Sequence, residues 1–143
     1  MNLKIIKREY RHDWEVPDDY TGIVLFDGHD VCNFINGCKE WWVNGKRHRE
    51  DGPAIESNDG SKFWYVNDKR HRLDGPAWEH CNGTKFWFVD DKLHRLDGPA
   101  IEVHDGSKEW HINGNKITEL EHGLLVHTTK LKNLIEKLKN LIK

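Results

Sequence analysis

The segment His48-Arg49-Glu50-Asp51-Gly52-Pro53-Ala54 recurs as His71-Arg72-Leu73-Asp74-Gly75-Pro76-Ala77 and again as His94-Arg95-Leu96-Asp97-Gly98-Pro99-Ala100. An imidazole and a carboxylate three residues apart are raw material for metal ligation or for a His–Asp proton relay. At a fixed period they would line up along a stack. A catalytic centre is seldom built in three identical copies, however, whereas a turn joining one unit to the next must occur in every copy. Asp side chains in turns accept hydrogen bonds from nearby backbone amides, so the segment reads as a structural turn. No metal site, cofactor or catalytic residue is assigned. Arg49, Arg72 and Arg95 form a candidate stripe for phosphate or another anion. Glu56, Glu79 and Glu102 recur at the same interval, and cross-strand ion pairs are the plainer account of these arginines.

Other reactive groups are scarce. Cys32, Cys38 and Cys81 are an odd number at spacings that match no zinc motif, and they read as reduced thiols. Cys32 with one of the ten histidines is the one nucleophile–base pair to consider, and no spacing supports it. Gly-x-Ser-x-Gly, phosphate-loop and dinucleotide fingerprints do not occur. The expectation is a protein that is not an enzyme. A formal net charge of −2 supplies no global field toward nucleic acid. Residues Met1–Arg8 contain no apolar run of signal-peptide length, and no stretch of about 18 apolar residues occurs, so a cytoplasmic chain is expected.

Positioning such groups falls to a repeat of 23 residues. That offset links Trp41, Trp64, Trp87 and Trp110, then Val43, Val66, Val89 and Ile112, and also Gly37, Gly60, Gly83 and Gly106. The unit is too short for a helical hairpin. Lys62-Phe63-Trp64-Tyr65-Val66 is aromatic and β-branched, as strands prefer. Asn44-Gly45, Asn67-Asp68 and Asn113-Gly114 follow such runs, and type I′ hairpin turns need positive φ at both central residues. Asp-Gly-Pro breaks regular structure. Ala77-Trp78-Glu79 makes a second strand, and Asn82-Gly83 turns into the next copy. With 36% hydrophobic and 32% charged residues, a thin array suits the composition, with seven Trp residues offering about 150–250 Å² each.

Alternation along a strand assigns faces. Trp64 and Val66 share one face, uniform in every copy, which reads as a stacked core; base stacking on single-stranded nucleic acid is the rival reading. The other face varies and is rich in aromatic groups. Trp42, Phe63, Tyr65, Phe86, Phe88 and His111 are therefore the candidate partner-binding residues, and replacing Tyr65 and Phe88 by Ala is expected to abolish binding without harm to the fold.

Trp42-Val43-Asn44-Gly45-Lys46-Arg47-His48, with Asp59-Gly60 before the next copy, resembles MORN repeats, over roughly residues 37–117. Where those repeats carry glycines after the Gly-Lys turn, this chain has His-Arg-x-Asp-Gly-Pro-Ala, as in the divergent MORN-like repeats of bacterial and viral proteins. The resemblance implies a single-layer, curved β-meander used for protein contacts and sometimes lipid contacts, and a regulator or inhibitor of a host factor.

Repeat arrays need atypical ends. Residues 1–36 read as an N-terminal cap and a degenerate earlier copy, with strands at Leu3–Ile6 and Tyr20–Phe26 and a turn at Asp27-Gly28. Gly22 to Gly28 echoes Ala54 to Gly60. Residues 37–117 hold three and a half repeats. Residues 118–143 form an amphipathic helix with a Thr118–Glu121 capping box and a stripe of Leu131, Leu134, Ile135, Leu138, Leu141 and Ile142. Three roles stay open for that stripe: covering the last hairpin or a sheet face, homo-oligomerisation, and attachment to an anionic membrane surface, since residues 130–143 carry five Lys and one Glu.

The fold class expected is an all-β repeat, a single-layer curved antiparallel β-meander of hairpins with a C-terminal α-helix. The function expected is non-catalytic binding of another protein. The alternatives are an oligomer that sequesters a nucleotide or other anion through Arg49, Arg72 and Arg95, and membrane-surface attachment through the helix.

Overall fold

The computed structural model describes residues 4–8, 15–26 and 37–141. Before the repeats come β1 (Lys4–Arg8) and β2 (Gly22–Phe26). The first copy supplies β3 (Cys38–Val43), β4 (Lys46–Arg47) and β5 (Ile55–Ser57). The second supplies β6 (Lys62–Phe63), β7 (Tyr65–Val66), β8 (Lys69–Arg70) and β9 (Trp78–Glu79). The third supplies β10 (Lys85–Phe86), β11 (Phe88–Val89), β12 (Lys92–Leu93) and β13 (Ile101–Glu102). The final half-copy gives β14 (Lys108–Ile112) and β15 (Asn115–Ile117), and α1 (Glu119–Leu141) follows. Leu3, the Asp27-Gly28 turn, Cys32 and Ile142 lie outside the described residues.

One open sheet runs in the order β1-β2-β3-β5-β6-β9-β10-β13-β14-β15, with β4 on β3. From β2 onward every described pairing is antiparallel, so the all-β meander of hairpins is correct there. The first strand departs from it. β1 lies parallel to β2, with Ile6 opposite Val24, the arrangement that needs a crossover and not a tight hairpin turn. Val24 faces Glu40 as Ile55 faces Phe63. The degenerate copy is therefore in register one residue away from the Gly22–Ala54 alignment.

In copies two and three the aromatic strand changes partners at its central Trp. Phe63 pairs in the main sheet with Ile55 and Trp78, whereas Tyr65 and Val66 pair with Arg70 and Lys69 in a separate hairpin. Between them the Trp64 N–H donates to the Ala77 carbonyl at 2.8 Å, and the Trp64 carbonyl accepts from the His71 N–H at 3.1 Å. Both ends of the His-to-Ala loop are thus tied to one Trp backbone, and no ladder group is orphaned there. Trp41 and Trp87 are held the same way by His48 and Ala54, and by His94 and Ala100. Hairpins also bond to their neighbours: the Arg72 N–H donates to the Phe88 carbonyl at 3.1 Å and the Asp91 N–H to the Arg70 carbonyl at 3.0 Å.

The turns follow the sequence reading. Asn44, Asn67, Asp90 and Asn113 have φ of 49–52°, and the residues after them, Gly45, Asp68, Asp91 and Gly114, have φ of 62–86°, the type I′ pattern.

The more buried face of the sheet is not the one expected. Val24, Glu40, Ile55, Phe63, Trp78, Phe86 and Ile101 lie opposite one another in a row across it. Phe63, Trp78 and Phe86 stack with centroids 5.4 and 4.3 Å apart, and Phe63 is only 6% exposed. The Trp face is half-buried by comparison. At the N-terminal end Tyr20, Val24 and Phe26 form a small core with Ile6, Val16, Cys38 and Trp42. The Tyr20 hydroxyl reaches the carbonyls of Lys4 and Ile23, tying β1 to β2, and burial raises its pKa.

The capping box forms as the spacing predicts: the Thr118 N–H donates to Glu121 Oε2 at 2.7 Å and the Glu121 N–H to Thr118 Oγ1 at 3.2 Å. Only the start of α1 touches the sheet. His122 is buried, with Nε2 3.0 Å from the Arg95 carbonyl oxygen. Beyond it Val126 is half-buried and every other residue of the helix is exposed. Covering a sheet face is therefore not what the apolar stripe does.

Candidate functional site

The face that carries Trp41, Trp64 and Trp87 is assembled from the His-Arg-x-Asp-Gly-Pro-Ala loops. In each loop the arginine folds back onto its own Trp. Arg72 Cζ lies 4.1 Å from the Trp64 ring centroid, with Arg49 4.0 Å from Trp41 and Arg95 3.9 Å from Trp87. The guanidinium is then fixed edge-on. Arg72 Nε donates to Asp74 Oδ1 at 2.9 Å, and Nη1 donates to the Pro76 carbonyl at 3.3 Å and to Glu79 Oε1 at 3.4 Å. Arg49 repeats this with Asp51, Pro53 and Glu56, and Arg95 with Asp97, Pro99 and Glu102. Hydrogen bonds from the guanidinium hold the Asp51, Asp74 and Asp97 carboxyls below their ordinary pKa. The structure thus brings the three arginines to one face and engages each both with the Asp and Pro of its own loop and with the expected glutamate, Glu56, Glu79 or Glu102, on the strand that follows.

The histidines do not meet the aspartates of their own loops. His48 Nδ1 is 3.0 Å from Asn67 Oδ1, His71 Nδ1 is 3.0 Å from Asp90 Oδ1, and the Asn113 N–H donates to His94 Nδ1 at 3.1 Å. Each imidazole therefore holds the hairpin tip of the following copy. Among the described residues no group of three or more His, Cys, Asp or Glu side chains is placed to hold a metal ion. Cys81 Sγ lies 3.5 Å from His80 Nδ1 on an exposed turn.

Among the described residues, two grooves run between successive loops. One, of about 580 Å³, has Trp64 and Val66 among its walls together with the loops that begin at Arg49 and His71. Its counterpart, of about 680 Å³, is lined by Trp87 and Val89 and by the loops from Arg72 and His94. Leu73 and Leu96 belong to these walls and are 81% and 51% exposed. Asp51 and Asp74 stand at the rims with 83% and 84% of their side chains in solvent. Each is a trough in which Trp, Val and Leu side chains lie among Arg and His, with aspartates at its margin.

The aromatic residues expected to bind a partner lie elsewhere, and most are already occupied. Phe63, Phe88 and His111 are 6%, 6% and 7% exposed, so they are packing groups, and that expectation is corrected. Tyr65, Trp42 and Phe86 are half-buried. Arg47 lies over Tyr65 at 4.8 Å and Trp42 at 5.7 Å, and Arg70 lies over Phe88 at 4.0 Å. Trp42 Nε1 donates to Glu40 Oε2 at 3.1 Å, and burial raises the Tyr65 pKa. His111 Nε2 is 3.0 Å from Glu109 Oε2, and Lys116 donates to the same carboxyl and lowers its pKa. Removing Phe88 would open a cavity, and Phe→Ala in a core typically costs about 3–5 kcal/mol; the fold would not be indifferent to it. Arginines recruited from neighbouring strands cover this face, and strand alternation carries no information about them.

Leu73 and Leu96 were not among the expected site residues. A signal for them existed: they occupy the variable position of an otherwise constant motif, and an exposed leucine in a polar turn is out of place there. On α1 the stripe residues Leu131, Leu134, Ile135, Leu138 and Leu141 are 50–81% exposed. No family model, curated protein or solved structure matches this chain.

Proposed function

We propose that this protein is a non-catalytic, MORN-like protein-binding module that receives an extended segment of a partner across its loop face. The observation that carries the reading is the pair of grooves with Leu73 and Leu96 exposed beside Trp64–Val66 and Trp87–Val89. An exposed leucine costs a free protein little and gives a bound one a great deal, at roughly 25 cal/mol per Å² buried.

Groove spacing and charge suggest the kind of segment that would fit. Each copy adds two strands to the sheet, and strands lie about 4.8 Å apart, so equivalent grooves recur about every 10 Å. An extended chain in the polyproline-II conformation advances about 3.1 Å per residue with three residues per turn, so every third side chain faces the same way at intervals of about 9 Å. Its anchors therefore sit three residues apart, apolar where they enter the troughs and flanked by Lys or Arg where they meet Asp51 and Asp74. Regulation or inhibition of the protein that bears such a segment follows naturally from occluding it. Sequestration of a small anion is disfavoured, because Arg49, Arg72 and Arg95 already spend their guanidinium groups on their own loops.

The test uses a fluorescent peptide with leucine at every third position and lysine between, followed by anisotropy against the full chain. Binding should fall at least tenfold in a Leu73→Ser/Leu96→Ser variant whose circular dichroism is unchanged. A peptide of the same composition with leucines four apart should bind more weakly. Equal binding of both peptides, or binding unaffected by the two serines, would overturn the groove reading.

A further inference from the structure

The apolar stripe of α1 belongs to no groove and to no part of the sheet. At 3.6 residues per turn, Leu124, Leu131, Leu134, Ile135, Leu138 and Leu141 fall within an arc of about 120°. His122 and Val126, the two residues of the helix that are not exposed, lie on the opposite side. The helix therefore touches the sheet with its back and turns its leucines outward. Its lysines are placed as deliberately: Lys130 and Lys137 line one border of the stripe, Lys132 and Lys139 the other. Glu136 sits on the far side, bonded to Lys139 at 3.2 Å. Asn133 and Asn140 complete that polar back.

We propose that α1 is an in-plane docking helix for an anionic phospholipid surface. The choice of occupant rests on charge. Packing the stripe against a second copy in parallel would bring lysines of both chains to the same seam, and an antiparallel pair could answer them only with Glu119 and with Glu121, which already caps its own helix. At a bilayer, those same lysines extend along the apolar surface and put their ammonium groups among the phosphates. Charge is also segregated along the chain. Residues 130–143 hold five Lys and one Glu, while the first 129 residues hold 17 of the 22 cationic and 23 of the 24 anionic side chains. The rest of the chain carries a net negative charge, so attraction to an anionic surface is concentrated in the helix. No described helix is long and apolar enough to cross a bilayer, so the attachment is interfacial and reversible.

The experiment is co-sedimentation of the full chain with two sets of vesicles, one of phosphatidylcholine alone and one of equal parts phosphatidylcholine and phosphatidylserine. Binding should be at least tenfold stronger to the anionic set and should weaken as salt screens the charges. Leu131→Ser/Leu138→Ser should abolish it. So should Lys132→Glu/Lys139→Glu, and neither variant should alter the sheet, since all four side chains are in solvent. Equal binding to both vesicle types would overturn the charge argument. Absence of vesicle binding together with a dimer in analytical ultracentrifugation that the serine variant dissociates would overturn the proposal in favour of self-association. Because the helix variants leave the grooves untouched, failure here leaves the peptide-binding result standing.

Discussion

Arg72 lies between two flat surfaces, the Trp64 ring on one side and the backbone of Gly75 on the other. A Cβ on Gly75 would stand 2.8 Å from Arg72 Cζ and 3.0 Å from its Nε. Gly52 and Gly98 are in the same relation to Arg49 and Arg95. The glycine of Asp-Gly-Pro is therefore required for space, since none of the three has positive φ; the sequence reading took it for conformational freedom. Alanine at Gly75 must push the guanidinium off the ring and away from Asp74. A charge-assisted hydrogen bond is worth about 1.5–3 kcal/mol and a cation–π contact about 0.5–1 kcal/mol, and part of each survives in a relaxed structure. Gly75→Ala should therefore lower unfolding stability by about 1–2 kcal/mol in urea titrations. In an Arg72→Ala background the same change should cost close to nothing. Equal costs in both backgrounds would show that the glycine serves its backbone after all.

At the scale of the element, the type I′ turns show a compensation between neighbouring copies. Gly stands at the second central position in the first and last hairpins, but Asp68 and Asp91 stand there in the middle two, at φ of 64° and 62°. A left-handed conformation costs a non-glycine residue about 1–2 kcal/mol. Asp68 recovers it by accepting hydrogen bonds from Arg47 N–H at 3.0 Å and Arg47 Nε at 2.9 Å, and Asp91 does the same with Arg70. Where the next hairpin has Gly114, the residue facing it is Leu93 in place of an arginine. The two positions change together along the chain. Asp68→Ala keeps the strain and loses the bonds, and should cost about 1–2 kcal/mol. Asp68→Gly loses both and should be nearly neutral. Chemical denaturation of the two variants side by side decides it, and the reverse order would refute the compensation.

For the molecule as a whole, joining each copy to the next twice, through the sheet and through the hairpin edges, makes stability a sum over neighbours. Deleting residues 63–85 removes one 23-residue period and joins Lys62 to Phe86, the residue that its own successor Phe63 matches. The shortened chain should fold with unchanged spectral shape and a lower melting temperature. Deleting residues 63–84 leaves one residue too many in the strand, which reverses the sides of everything before the next turn. It should melt lower still, as circular dichroism would report.

Period, most strand positions, the type I′ turns and the helix cap were legible in the sequence, because each depends on residues close along the chain: φ preferences at Asn44-Gly45, alternation in Lys62–Val66, the reach of Thr118 to Glu121. So was the pairing of Arg49, Arg72 and Arg95 with carboxylates at a constant offset. Burial was decided only by the tertiary structure. Alternation says that Phe63 and Tyr65 share a side, and it cannot say which side will be covered. That depended on the change of partners at Trp64, on arginines arriving from adjacent strands, and on loops that fold back over their own tryptophans. The parallel β1 and the outward turn of the helix stripe were likewise invisible, since both are set by how segments meet in space and neither leaves a mark on local periodicity.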